Sequence, residues 1–107
     1  MALNIWIKPK RTEMPAICVG HIRVKNVDAW EQYRSRVGAT IAQYGGELLF
    51  RGRQQRLLSG EMPHESVVAL RFENLDAANR WHDSIEYQAL VPIRDRAADV
   101  TLVLYES

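Results

Sequence analysis

Cysteine is nearly absent: the 107-residue chain holds Cys18 alone. No intrachain disulfide can form, and a reducing cytoplasm is the expected setting. No charge sign prevails either, with 14 Lys and Arg against 13 Asp and Glu and a net charge of +1. Domains that hold nucleic acid through its phosphates carry a clear basic excess, so nucleic acid is not an expected partner. No apolar run approaches the roughly 18 residues of a membrane helix. Residues 1–13 (MALNIWIKPKRTE) also lack the apolar core and cleavage pattern of a secretory signal, so no membrane partner is expected. No glycine loop has phosphate-cradling spacing. No serine sits in a nucleophile elbow. His21, His64 and His82 lie at no metal-ligand spacing. Neither a metal nor a cofactor is expected.

What is present suits one small domain, with 47% apolar and 25% charged residues. Residues 1–13 form an extension in which LNIWIK alternates as an edge strand would, or which is disordered; the domain proper spans residues 14–107. Ile17 to Lys25 is β-branched and reads as a strand, with Ile17, Val19, His21 and Arg23 on one face. Asp28, with Glu31 three residues on, suits a helix cap. The helix it opens carries an apolar stripe of Trp30, Tyr33, Val37, Ile41 and Tyr44 and ends at Gly45-Gly46.

Glu47 to Leu58 reads as a second strand with a bulge or bend at Gly52, followed by a loop over residues 59–65. Val67 to Phe72 is a third strand. Asn74 or Asp76 caps a helix over Ala77 to Ser84, and Glu86 to Arg94 is a short helical segment broken at Pro92. Asp99 to Tyr105 closes the domain as a fourth strand.

The order β-α-β-β-α-β predicts an α+β fold of the ferredoxin-like, split βαβ kind, an antiparallel four-stranded sheet with helices on one face. The strands carry apolar residues at both parities, so the face without helices needs a cover. A second copy of the same sheet is the expected one, giving a homodimer that forms an α/β barrel.

From Met14 onward the chain resembles the DUF1330 family of the dimeric α/β-barrel superfamily. The resemblance rests on Asp28, Tyr33-Arg34, Tyr44-Gly45-Gly46, Phe50-Arg51-Gly52, Val67-Val68, Phe72, Ala77-Ala78, Ser84-Ile85-Glu86-Tyr87-Gln88 and Arg94. Two places depart from it. Ser59-Gly60 stands where the family usually has Glu-Gly, which removes a carboxylate, and Ser84-Ile85-Glu86-Tyr87 where it has Ser-Pro-Glu-Tyr. The resemblance implies a ferredoxin-like dimer without an established activity. The wider superfamily includes cofactor-independent oxygenases, isomerases and haem-degrading proteins, a likeness of fold alone.

Tyr33, Arg51, Tyr87 and Arg94 are the candidate ligand-binding residues. Two phenols and two guanidinium groups around one helix-covered cleft suit a small, anionic molecule. The structural alternative buries the tyrosine rings in the core and spends the arginines on helix ends or on Glu86 and Glu61. His21 is the candidate catalytic base if the cleft is that of a cofactor-independent oxygenase or isomerase, or else it lines the dimer interface. Arg71 reads as an anion anchor or as one half of an ion pair between subunits. A non-catalytic ligand-sensing dimer is a further reading. An RNA-binding module shares the strand order, but its base-stacking aromatics are replaced here by Val19, His21, Val67 and Ala69.

Overall fold

The computed structural model describes residues 14–106. The expectations for residues 1–13 lie outside them. The elements run β1 (Ala16–Val24), α1 (Val27–Gln43), β2 (Glu47–Arg53), β3 (Ser66–Phe72), α2 (Leu75–Asp83), α3 (Ile85–Gln88), α4 (Val91–Ala97) and β4 (Ala98–Glu106). The sheet is antiparallel in the order β2-β3-β1-β4. This is the ferredoxin-like α+β fold that the element order predicts.

Register sorts the side chains onto two faces. On β1, Ala16, Cys18, Gly20 and Ile22 lie opposite Phe72, Leu70, Val68 and Ser66 of β3 and Glu106, Leu104, Leu102 and Val100 of β4. Ala16, Cys18, Leu70 and Phe72 of this set pack with Tyr33 of α1, Ala77, Ala78 and Trp81 of α2, Tyr87 of α3 and Leu90 to make the main core. The opposite set, Ile17, Val19 and His21 with Ala69, Val67, Val103 and Tyr105, faces away from the helices. Phe50 of β2 pairs with Ala69 on that open face.

Several boundaries differ from the expectation for physical reasons. The cap of α1 is Asn26, whose Oδ1 accepts from the Ala29 amide at 3.0 Å, because Asn26 is extended while Asp28 already lies inside the first turn. Asn74 caps α2 in the same way, accepting from Ala77 at 2.8 Å. The break in the 86–94 segment falls at Ala89 and Leu90, and Pro92 follows it in the first turn of α4, where its missing amide hydrogen has no helical partner to lose. The second strand ends at Arg53, where Gln54 N–H donates to Glu65 O and closes the hairpin. The irregularity of β2 falls between Leu48 and Phe50, not at Gly52.

Gly45 and Gly46 end α1 as expected. Gly45 has φ 75°, and the amides of Gly45 and Gly46 donate to Ala42 O and Ile41 O, a Schellman closure. Gly46 has a further duty, since a Cβ there would come within 2.6 Å of the Phe72 ring. The glycine lets the end of α1 settle against the fully buried Phe72.

Candidate functional site

α1 packs against α4, and its Tyr33, Ile41 and Tyr44 reach the main core. Beneath it lies a cavity of about 830 Å³, open to solvent between α1 and β2 and within the range of small-molecule sites. Trp30, Val37 and Ile41 of α1 form the roof, Ile22, Val68, Leu70 and Leu102 the floor, and Trp81 the end wall. The polar lining groups are Tyr33 on the wall, Ser66 at the end of β3, and Glu31, Arg34, Ser35, Glu47 and Arg51 at exposed positions.

Tyr33 is where the cavity meets a buried polar chain. Its ring stacks on Trp30 at 5.3 Å between centroids, and its hydroxyl lies 2.9 Å from that of Tyr87. Tyr87 is fully buried, held by Trp81 at 4.3 Å between ring centroids. Its backbone is fixed by Ser84, whose hydroxyl caps α3 by accepting from the Tyr87 amide at 3.1 Å. Behind it, Arg94 Nη1 donates to the Tyr87 hydroxyl at 3.1 Å, and Arg94 also pairs with the exposed Asp95.

Burial, with Tyr87 beside it, holds the Tyr33 phenol well above the usual range, so it is a neutral donor at any physiological pH. Burial opposes the charge on Arg94, but the bonds to Tyr87 and Asp95 outweigh it and the guanidinium stays protonated. Trp81 is positioned from the α1 side, its Nε1 donating to Thr40 Oγ1 at 3.0 Å.

The predicted binding residues thus divide. Tyr33 and Arg51 line the cavity; Tyr87 and Arg94 stand in single file behind Tyr33 and do not line it. Arg51 has no ion-pair partner among the described residues, whereas Arg94 takes Asp95 rather than Glu86. Glu86 accepts from the Tyr44 hydroxyl at 3.3 Å.

His21 is not among the residues lining this cavity. Strand alternation puts it on the open face, away from the cavity, so it cannot serve there as a base. It lies 6.2 Å between ring centroids from His64 and borders a separate depression of about 370 Å³ with Phe50 and Met62. Arg71, also on the open face, is 4.0 Å from Glu47 of its own chain.

Trp30, Trp81 and Thr40 escaped the sequence reading as site residues. Trp30 looked like one more member of an apolar stripe, and the bond between Trp81 and Thr40 joins positions 41 residues apart.

Residues 15–107 match the family described as a domain of unknown function, DUF1330, and the chain belongs to that family. No curated protein matches it. Among solved structures, it is similar to a protein of unknown function from Rhodopseudomonas palustris, at 16% identity and TM-score 0.76 over 94% of this chain and 95% of that one. It is also similar to a dimeric ferredoxin-like protein of unknown function from Jannaschia sp. CCS1, at 9% identity and TM-score 0.70 over 87% and 99%. A third similar structure is SnoaB, a cofactor-independent oxygenase from Streptomyces nogalater, at 14% identity and TM-score 0.63 over 88% and 93%. At these identities the likeness is one of fold.

Proposed function

We propose that this DUF1330 protein binds a small, largely apolar molecule in the cavity under α1 and hydrogen-bonds an oxygen of that molecule through Tyr33. The observation that carries the reading is the contrast inside the cavity. Its walls are largely tryptophan and aliphatic, and the buried polar group set into them is a neutral phenol anchored from behind. Sites of this kind take affinity from apolar burial and orientation from a few fixed polar groups. Arg51, at the sheet edge of the cavity, supplies a cation for an anionic substituent.

The test is a titration of 1-naphthol and of naphthalene followed by tryptophan fluorescence. Both bind, and Tyr33→Phe weakens 1-naphthol roughly tenfold, the worth of one buried hydrogen bond, while naphthalene affinity holds. Equal losses for the two probes, or no saturable binding of either, refute the reading.

The same proposal has a second copy covering the open face, forming a homodimer sheet to sheet. Phe50, Val103 and Tyr105 are exposed there beside Ile17 and Val19, an apolar surface on a sheet otherwise covered. The dimeric state of the Jannaschia protein supports it. Light scattering should give twice the chain mass, falling to the single mass for Val19→Asp. A wild-type protein of single mass contradicts the pairing.

A cofactor-independent enzyme is the second reading, favoured by the SnoaB likeness in fold. With His21 on the other face, such chemistry would fall to Tyr33 as donor to a developing oxyanion.

A further inference from the structure

The hydrogen bonds along the buried chain have a direction. Arg94 has only N–H groups to offer, so it donates to the Tyr87 oxygen. The Tyr87 hydroxyl proton then has one acceptor among the described residues, the Tyr33 oxygen at 2.9 Å. A buried hydroxyl proton without an acceptor is costly, which fixes Tyr87 as donor and Tyr33 as acceptor. The Tyr33 proton is left over. It has no acceptor among the described residues, and Tyr33 lines the cavity.

We propose that the cavity selects ligands presenting an anionic oxygen, an enolate or phenolate, to Tyr33, with Arg94 as the positioning residue that makes Tyr33 a charge-assisted donor. Arg94 never reaches the ligand. Its charge acts through Tyr87, polarising each O–H in turn, and hydrogen-bonded chains in a low-dielectric interior strengthen in this way. The fully buried Tyr87 excludes water between charge and cavity, so the field is not screened by solvent. Arg51 and Ser66 also line the cavity, but the relay from Arg94 ends on one phenol. One charge-assisted donor fits one charged oxygen, hence the enolate or phenolate class. This inference rests on the cavity being a ligand site and goes further in naming the ionisation state it holds.

The experiment uses 4-nitrophenol, which is yellow only as its anion, and 4-nitroanisole, which has no ionisable proton. Bound 4-nitrophenol is titrated with pH in the whole protein. Its ionisation midpoint should lie about one pH unit below that of the free probe, the low end of what a nearby cation achieves; the released proton goes to solvent. In Arg94→Gln, which keeps a donor but removes the charge, roughly half of that displacement or more should vanish, and Arg94→Lys should restore part of it.

Asp95→Asn provides a variant at an exposed position that leaves the core alone. With its carboxylate gone, Arg94 is less compensated, so the midpoint should move further down. Binding of both probes with an unmoved midpoint, or a midpoint indifferent to residues 94 and 95, overturns this inference and leaves the cavity reading standing. Saturable binding of neither probe overturns both.

Discussion

The space between sheet and helices is close-packed under α2 and α3 and opens into a cleft under α1. Under α2 and α3, Phe72, Trp81 and Tyr87 meet ring to ring, with Phe72 and Tyr87 fully buried. Under α1 the same sheet face presents Ile22, Val68 and Leu102 to a cleft instead of to packed rings. The difference teaches where stability and function reside in a small domain. Close-packed rings hold the fold; the unfilled part holds space, and the chain Arg94–Tyr87–Tyr33 runs from the first region to the edge of the second.

The sharpest way to break that contrast is to cut one large side chain from each end. Phe72→Ala should cost about 3–5 kcal/mol, because nothing around the ring is free to collapse. Leu102→Ala should cost about 2 kcal/mol or less, since the removed atoms already border empty space. Urea unfolding of both variants checks this, and equal losses would mean that the hollow is not hollow.

A smaller effect concerns the roof. Gly38 lies mid-helix in α1, and a Cβ there meets nothing within 4 Å. Gly38→Ala should therefore stabilise by about 0.5–1 kcal/mol, the ordinary gain of alanine over glycine in a helix. A destabilised variant would mean that α1 sits closer to the sheet than described here.

The last effect is a pH dependence, confined to alkaline solution. Burial pushes the Cys18 thiol up to about 11, and the Tyr33 phenol moves in the same direction. The folded state binds a proton that the unfolded chain releases near the ordinary thiol value of 9.0. The contribution of Cys18 is thus intact below pH 9 and declines as pH rises toward 11. Cys18→Ala should flatten the alkaline fall in melting temperature between those limits without removing it, because Tyr33 remains.

Periodicity carried most of the fold. Alternation on β1 and β3, the apolar stripe of α1 and the glycine pair at its end each reflect a local rule that one stretch of chain obeys by itself. The cap of α1 was misplaced because Asn26 and Asp28 are both good cap residues two positions apart, and only the chain path from β1 decides between them. The site was half legible. Tyr33, Tyr87 and Arg94 do assemble, but their single-file order depends on where α3 and α4 sit, which no local pattern encodes. His21 went astray although strand alternation already set it opposite Cys18 and Ile22; its chemistry outweighed its parity. The cleft itself was invisible, since its lining joins residues of α1, β2, β3 and β4 that are distant in sequence.

The central claim, that the space under α1 is a ligand site anchored at Tyr33, is tested most directly by crystals soaked in 4-iodophenol. Anomalous density for iodine should appear under α1 among Trp30, Val68 and Leu102, with the phenol oxygen within hydrogen-bonding distance of Tyr33. Iodine confined to the open face near Phe50 and His21, with the space under α1 vacant, would contradict it.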